Sequence, residues 1–321
     1  MGAEELSDRA IIGRFFQTLE ERAVASWTDG VSMLFQSDQE SETYKWLGQV
    51  PMLREWIGER QAKGLTTYGV TIENLDFEAT LEILRKELKF DKTDQIMVRI
   101  DELAVRSIQH WNKLLSALIE AGAATACYDA QNFFDTDHSE ESSGTQDNDL
   151  ATTVAAVTGP TVAEMESMIL TAIQQILSFK DNQGEPMNDG AKGFLVMVPT
   201  GYMKVAVPAV YNQVIVSGSA SRDNTLLTLR DKGFNIGLEV NPRLATPSIV
   251  TSGTGAFYVF RTDGMVKPFI RQEQEPVTLD VIGTGSEQEI MSKRHIYGVK
   301  AARNVGYGYW QHGCLMTVTN G

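Results

Sequence analysis

The amino-acid sequence predicts an α+β fold. Three observations indicate this class: a long amphipathic stretch from Thr93 to Gly122, a last third that consists mainly of short strand-like segments, and no repeated strand–helix–strand pattern. At 321 residues, with 42% hydrophobic and 22% charged residues, the chain is long enough to bury a substantial core.

The stretch from Thr93 to Gly122 is predicted to be one long helix. Thr93 and Asp94 suit its first turn, and Gly122 suits the residue beyond its end. At about 1.5 Å per residue the helix would be roughly 40 Å long, which suits an elongated, tile-like domain. Its apolar residues recur at steps of three and four, at Ile96, Met97, Ile100, Leu103, Ala104, Ile108, Trp111, Leu114, Leu115 and Leu118.

The N-terminal part contains a shorter amphipathic helix and two strands. Glu4 to Arg22 is predicted to be a helix with Phe15 and Phe16 on its apolar side, packed either on its own domain or on a neighbouring subunit. Ala23 to Thr43 is predicted to be an extended connector. Tyr68–Ile72 and Leu75–Ile83 alternate with the period of strands and predict a projecting hairpin, which needs a partner to be stable.

After the long helix the sequence predicts a polar loop and then a second α/β region. The loop covers Cys127 to Asp149, with a mobile tip from Ser139 to Asp149. A helix is predicted from Gly159 to Phe179, a buried strand at Phe194–Pro199 and a short helix at Thr200–Asn212. Further strands are predicted at Thr225–Leu229, Phe234–Val240, Phe257–Arg261, Pro268–Glu273, Val277–Ile282 and Glu289–Val299, and a final strand pair at Gly306–Gln311 and Cys314–Val318. Glycines in that pair predict close approach of rings and backbone.

Charge and cysteine content exclude several classes of protein. The net charge of −14 argues against nonspecific binding to nucleic acid phosphates, although an acidic wall could keep a container from sticking to nucleic acid inside it. Cys127 and Cys314 are far apart, which argues for a reducing compartment rather than a disulfide framework. The first residues are acidic, so no signal peptide is expected, and no apolar run is long enough to span a membrane.

The sequence assigns no catalytic residue, cofactor or metal. A phosphate-binding loop motif is absent, and the pairs Gly253–Gly255 and Gly283–Gly285 lack the strand-turn-helix context of a dinucleotide site. Asp129, Asp135, Asp137 and His138 could bind a hard cation, but an acidic solvated loop is the simpler interpretation. Cys127 could be a nucleophile, but its alanine-rich surroundings favour a buried residue. Glu140 and Glu141 lie in the predicted mobile tip, where nothing would hold them for acid–base chemistry.

Aromatic and charged residues interleave between Trp46 and Arg60. This pattern suits either an intrachain cap or a subunit interface anchored by Trp and Arg side chains. The candidate interface residues are Trp46, Arg54, Trp56 and Arg60, together with Phe15 and Phe16 of the N-terminal helix.

Four blocks of the sequence resemble one family, the Mu-like phage major head subunit or gpT family of major capsid proteins. The blocks are Tyr44–Gly48 with Leu53–Arg60 and Phe77–Thr80; Cys127–Asp135 with Asp137 and His138; Lys267–Glu273; and Tyr297–Val299 with Arg303–Gln311. They occur in the family's order. No motif between Ser139 and Phe257 matches closely.

The resemblance implies the Hong Kong 97-like capsid fold. It divides the chain into an N-terminal arm (1–48), an extended two-stranded loop (49–92), a peripheral domain with a spine helix (93–149), an axial domain (150–275) and a return to the peripheral domain as long strands (276–321). A hairpin and an arm without cover of their own would then be covered by the next subunit. Trp56 and Arg60 would anchor that interface.

The function implied by the resemblance is that of a head protein. It would assemble as pentamers and hexamers into an icosahedral shell around double-stranded DNA, without sequence-specific binding and without a membrane. The expected partners are a separate scaffolding protein, a portal and a decoration protein, and the expected location is the virion, assembled in the bacterial cytoplasm. Crosslinking through Lys63 has no identified catalyst or partner. The alternatives are an encapsulin-like shell with another cargo and a metal-dependent enzyme using the Asp129–His138 loop.

Overall fold

The computed structural model describes residues 8–22, 26–45, 69–90, 94–217, 220–246 and 253–321. The helices of these ranges are α1 (Asp8–Arg22), α2 (Trp27–Val31), α3 (Arg85–Phe90), α4 (Gln95–Ile108), α5 (His110–Glu120), α6 (Val162–Ser178), α7 (Met203–Tyr211), α8 (Thr225–Asp231) and α9 (Glu287–Ser292). The strands are β1 (Ser32–Gln36), β2 (Ser41–Tyr44), β3 (Val70–Glu73), β4 (Leu75–Leu84), β5 (Asp149–Val154), β6 (Gly193–Val198), β7 (Val214–Ser217), β8 (Ala220–Asp223), β9 (Asn235–Val240), β10 (Thr254–Arg261), β11 (Phe269–Ile282), β12 (Arg294–Tyr307) and β13 (Gly313–Asn320).

The predicted long helix forms as α4 and α5 in near-continuous succession. Gln109, which lies between them, keeps right-handed helical angles (φ −66°, ψ −6°), and its N–H donates to the carbonyl of Val105 at 3.0 Å. The buried stripe continues across the junction, from Ile100 in α4 to Leu115 and Ile119 in α5. The helix prediction is therefore confirmed, and Thr93 lies outside the described residues.

A four-stranded sheet with the order β1-β11-β12-β4 packs against this helix. β1 runs parallel to β11, and the other neighbours are antiparallel. α1 and α4 cover one face, where Ile11, Phe15, Ile83, Ile100 and Tyr297 share one buried cluster.

A five-stranded sheet with the order β5-β13-β10-β6-β9 forms the larger core. α6 lies against it, and Thr161 and Glu164 form the capping box that starts this helix, with the Thr161 hydroxyl accepting from the Glu164 N–H. The core of this half includes Ile173, Tyr202 and Trp310, all buried. The predictions of α6, β6 and α7 are confirmed.

The predicted hairpin of two adjacent strands is wrong, because its strands pair elsewhere. β3 pairs with β2, and β4 pairs with β12 over ten residues. β4 thereby becomes the edge strand of the four-stranded sheet. Residues 49–68 and 91–92 of the predicted extended loop lie outside the described residues.

Two segments predicted as strands begin as helices. Thr225–Leu229 belongs to α8, because the Asn224 side chain accepts from the N–H groups of Leu226 and Leu227 and caps the helix. Ser286 caps α9 in the same way through the Glu289 N–H, so β12 begins only at Arg294.

The chain end also departs from the prediction. β11 is continuous from Phe269 to Ile282 and crosses the expected boundary at 276. β13 lies between β5 and β10, so the last strand belongs to the five-stranded sheet rather than returning with β12. The close approach predicted at the glycines is confirmed: a Cβ at Gly308 would lie 2.5 Å from the carbonyl oxygen of Lys267.

The loop between α5 and β5 is packed, where the sequence predicted a mobile, solvated tip. His138 and Asn148 are fully buried in it. The Asn148 amide donates to the carbonyls of Phe133 at 2.8 Å and of Trp310 and Gly313 at 3.3 Å. Contacts to the distant chain end, invisible in the local sequence, therefore hold this loop in place.

Candidate functional site

The N-terminal helix α1 packs on α4 of the same chain. Arg14 donates two hydrogen bonds to the Asp101 carboxylate, at 2.8 and 2.6 Å, and the Thr18 hydroxyl donates a third at 2.6 Å. Phe15 is fully buried, so the structure assigns it to the core of the chain rather than to a surface. Phe16, the other predicted interface residue of α1, is 36% exposed and remains available to a neighbour.

The first turn of α1 is fastened to the far end of the four-stranded sheet through Asp8. Its carboxylate accepts from the Tyr297 hydroxyl at 2.8 Å and from the Thr284 N–H at 2.9 Å, and it lies 3.3 Å from Nδ1 of His295. Burial raises the pKa of Asp8, but these hydrogen bonds outweigh burial and lower it below its usual value of 3.8. The charged carboxylate thus ties α1 to the connection between β11 and β12.

Between α5 and the four-stranded sheet, two buried arginines contact the indole ring of Trp111. The guanidinium carbon of Arg303 lies 4.8 Å from the Trp111 ring centroid, and that of Arg271 lies 5.6 Å from it. Arg271 also pairs with Asp29 at 2.6 Å, while Arg303 donates to the Ser107 carbonyl at 3.1 Å. Burial lowers the pKa of Arg303. These contacts fix the orientation of the long helix on the sheet.

A buried carboxyl group joins the packed loop to the chain end. Oε1 of Glu140 accepts from the Tyr128 hydroxyl at 2.5 Å, from Nε2 of Gln311 at 3.0 Å and from Nε1 of Trp310 at 3.3 Å. Burial raises the pKa of Glu140 and, more strongly, that of Tyr128. The prediction that nothing would hold this glutamate is wrong, since Tyr128, Gln311 and Trp310 donate to it inside the core.

The residues of the alternative metal or nucleophile site have other partners. Asp129 accepts from the Cys127 thiol at 2.9 Å and lies 2.7 Å from Nδ1 of His138, whose ring stacks on Trp310 at 3.9 Å. Burial raises the pKa of Cys127, which disfavours the nucleophilic thiolate. Asp135 accepts backbone N–H groups, and Asp137 accepts from Gln131. Among the described residues no group of three or more His, Cys, Asp or Glu side chains could hold a metal ion.

Four of the six predicted interface residues, Trp46, Arg54, Trp56 and Arg60, lie outside the described residues. Sequence reasoning missed another exposed surface, formed by α3, α9 and the start of β12. Its apolar members Phe90, Ile290 and Met291 are 67%, 75% and 79% exposed. The signal in the sequence was the basic run from Arg85 to Lys89, which is unusual in a chain with a net charge of −14.

Across the described ranges, no helix combines the length and the apolar character that a membrane crossing requires.

One family model matches most of the chain. It describes the Mu-like prophage major head subunit gpT, and it matches residues 8–163 and 240–317. The matched ranges contain the long helix, the packed loop and β10 to β12, and they include all four blocks that resemble this family.

Two curated relatives match shorter segments. The Mu-like prophage FluMu major head subunit of Haemophilus influenzae is 35% identical over 126 residues, which cover 39% of this chain and 41% of that protein. The major capsid protein of Escherichia phage Mu is 33% identical over 108 residues, which cover 34% of this chain and 35% of that protein. The chain therefore spans about two fifths or less of the length of the curated relatives it matches.

The fold has a counterpart among solved structures. A chain of the procapsid of bacteriophage JBD30 superposes with a TM-score of 0.54 at 22% identity, over 97% of this chain and 75% of that chain. The shared architecture is the Hong Kong 97-like capsid fold, as the resemblance implied. With its family model matched over most of its length, the chain belongs to the Mu-like prophage major head subunit gpT family.

Proposed function

We propose that this protein is the major subunit of a phage or prophage head. It assembles as pentamers and hexamers into an icosahedral shell that encloses double-stranded DNA. The observation that carries the proposal is the family match over residues 8–163 and 240–317, which the phage Mu major capsid protein and the JBD30 procapsid fold support. The role is structural and needs no catalytic residue.

The described surface supports a subunit that is completed by its neighbours. β7 and β8 form a two-stranded ribbon, and such ribbons are marginally stable alone. Its Val214 and Val216 are 47% and 65% exposed. Arg222 of β8 pairs with the buried Glu166 of α6 and Ile215 is buried, which fixes the ribbon to the core while Val214 and Val216 face outward.

The interface residues are proposed from the sequence and from the surface of α1. Trp46, Arg54, Trp56 and Arg60 are proposed to contact a neighbouring subunit, and Phe16 is proposed to contribute from the exposed side of α1. Many modest contacts of this kind, repeated around rings, hold a shell together without any single strong one.

The proposed domain organisation follows the family fold. Residues 1–48 form an arm, 49–92 an extended loop, 93–149 a peripheral domain built on the long helix, and 150–275 an axial domain. The described strands modify this division at two places: β4, within 49–92, belongs to the four-stranded sheet through its pairing with β12. At the chain end, β11 crosses position 276 and β13 joins the five-stranded sheet.

The proposed partners are those of a head protein. Besides copies of itself, they are a separate scaffolding protein, a portal and a decoration protein, and the product is a virion assembled in the bacterial cytoplasm. The net charge of −14 supports a wall that encloses DNA without adhering to its phosphates.

Negative-stain electron microscopy of the purified protein, paired with sedimentation, tests the proposal. Closed shells or rings of five and six copies are expected, alone or after the scaffolding protein is added. A monomer at high concentration in both conditions would refute it. The content of isolated shells separates DNA from an enzyme cargo, which an encapsulin-like compartment would hold.

A variant sharpens the interface part of this test. Trp56→Ala is expected to give a folded monomer, judged by circular dichroism, that fails to form shells. Cys314→Ser, which alters a buried residue of β13, serves as the control and should assemble. Normal shells from Trp56→Ala would show that Trp56 is not an interface anchor.

A further inference from the structure

Within the described part of the chain, an exposed apolar surface lies at one end of the four-stranded sheet. We name it the basic pole; it consists of α3, α9 and Lys293. Phe90 borders two clefts of about 440 and 530 Å³ on either side of α3, and Ile290 and Met291 of α9 are largely exposed. Exposed apolar side chains in such concentration are typical of a binding surface.

The rim of this surface has a small excess of positive charge, since its four basic residues outnumber its three acidic ones, Glu87, Glu287 and Glu289. Arg85 pairs with Glu289 at 3.2 Å, and its N–H donates to the Lys293 carbonyl at 2.9 Å, which joins α3 to the start of β12. Lys86, Lys89 and Lys293 are exposed and form no ion pair with any residue in the described part of the chain. The nearby Glu87 carboxylate accepts from the Leu84 N–H, so it is already engaged in capping the helix.

The surface at the other end of β4, midway along β11 and β12, is negatively charged. Asp76 pairs across β12 with Ala302, which in turn pairs with Glu275 on β11, so both carboxylates lie on one face. Glu78 follows on that face, and the Asn74 N–H donates to the Glu40 carbonyl at 2.8 Å, which holds the turn of Glu40 beside it. We name this end the acidic pole. The exposed members of the acidic pole are Asp38, Glu40, Glu73, Asp76, Glu78 and Glu275.

Positive charges near the acidic pole do not cancel it. Lys300 lies opposite Glu78 and interacts with Glu275, while its ammonium pairs with Asp280 at 3.2 Å, so a single lysine faces the six exposed carboxylates of this pole. Arg303 lies beneath the sheet, is buried and points its guanidinium to Trp111. Leu75, at the start of β4, is 45% exposed and gives this pole an apolar contact of its own.

The two poles cannot meet within one chain. β4 is continuous from Leu75 at the acidic pole to Leu84 at the basic pole, which separates them by about 30 Å at roughly 3.3 Å per residue. We infer that the acidic pole of one subunit docks on the basic pole of the next, as a head-to-tail contact between copies of this chain. This inference rests on the proposed shell function and names one of its contacts.

The opposite charges of the two poles indicate that a second copy of this chain binds to the basic pole. The surface carries exposed apolar residues among its lysines, which suits a polypeptide with carboxylates and leucines better than a nucleic acid backbone. A head-to-tail contact joins two different patches, so it generates rings when the rotation closes, as pentamers and hexamers require. Steering by opposite charge also disfavours tail-to-tail and head-to-head encounters.

A charge swap tests the contact. One variant carries Lys86→Glu and Lys89→Glu, a second carries Asp76→Lys and Glu78→Lys, and a third combines all four and keeps the net charge of −14. Lys204→Glu with Lys232→Glu, both exposed and remote in the chain from either pole, is the charge-matched control. Assembly is followed by light scattering and sedimentation at 50 mM and 500 mM salt.

Each pole variant alone is expected to need at least a roughly tenfold higher concentration to assemble at 50 mM salt, with the difference shrinking at 500 mM. The fourfold variant should assemble like the wild type but not with it. When the two pole variants are mixed in equal amounts, they should associate with each other, because each carries the charge that the other's pole requires. This association can be measured without a closed shell.

Three results would overturn the inference: normal assembly of either pole variant, failure of the fourfold variant where the wild type assembles, or an equal loss in the control. The inference would also be overturned if the Lys86→Glu, Lys89→Glu variant formed normal shells and lost only their DNA content. Absence of any wild-type shell, with pairwise association of the two pole variants intact, would count against the proposed function and leave the contact standing.

Discussion

The contact of Trp111 with two buried arginines gives a quantitative prediction. Trp111→Leu removes the ring that lies 4.8 Å from the Arg303 guanidinium and 5.6 Å from that of Arg271. A desolvated cation–π contact is worth about 2 kcal/mol, and a longer one about 1 kcal/mol. The smaller side chain loses about 1 kcal/mol more of apolar burial. We therefore expect Trp111→Leu to lower the free energy of unfolding by about 4 kcal/mol.

A double-mutant cycle isolates the interaction between the ring and one arginine. Trp111→Leu, Arg303→Met and the double variant are compared by urea denaturation of the unassembled subunit, followed by circular dichroism. Because Arg303 is only 4% exposed, its coupling with Trp111 should be about 1.5–2 kcal/mol. Trp111→Phe keeps a ring and should retain part of this coupling.

Arg99→Met provides the control for the cycle. Arg99 lies on the exposed side of α4, twelve residues before Trp111, and its effect should add to that of Trp111→Leu within about 0.5 kcal/mol. A coupling below about 0.5 kcal/mol for Trp111 and Arg303 would refute the argument that the indole holds the buried guanidinium.

Three further predictions concern titratable groups. Because the pKa of Asp8 lies below its usual value of 3.8 in the folded protein, its carboxylate stabilises the fold at pH values above 3.8, and this stability is lost as the pH falls. Asp8→Asn should therefore show a smaller loss of stability below about pH 4 than the wild type. An unchanged dependence of stability on pH in acid would contradict this. Because the pKa of Glu140 is raised in the folded protein, the free energy of unfolding falls as the pH rises through that pKa. Glu140→Gln should therefore be more stable than the wild type at pH 8 and similar to it at pH 4.5. Glu140→Leu, which leaves Nε1 of Trp310 unpaired, should be less stable than the wild type at both pH values. Burial raises the pKa of Cys127 and of Cys314, so both thiols should react with a thiol reagent at pH 8 only after denaturation; rapid labelling of the native protein would contradict their burial.

Local patterns in the sequence were sufficient for the helices with a clear stripe. The three-and-four spacing from Ile96 to Leu118 predicted α4 and α5, and Thr161 with Glu164 marked the start of α6. These signals are local because a helix forms its hydrogen bonds between residues four positions apart.

Local patterns failed where a cap competed with side-chain alternation. The apolar and polar residues of Thr225–Leu229 are compatible with a strand. The segment is a helix because the Asn224 side chain accepts hydrogen bonds from its first N–H groups. The signal for this helix in the sequence is Asn224, since asparagine is a favoured capping residue.

The family, and with it the fold class, was also determined by the sequence itself, through blocks such as Cys127–Asp135 and Arg303–Gln311. Only the tertiary structure decided what these blocks do. Tyr128 and Gln311 are 183 residues apart, yet both contact Glu140, and that contact converts a predicted mobile loop into buried structure.

Strand partners and surface poles were likewise decided by the tertiary structure. β4 pairs with β12, more than 200 residues away, instead of with β3 beside it, and this pairing places the acidic residues beside one end of β4 and the lysines beside the other. A strand's sequence shows which of its faces is apolar but not which edge it will share, because backbone hydrogen bonds are the same for every partner. The partner is selected by the burial that the whole chain achieves, and that quantity exists only once the chain has folded.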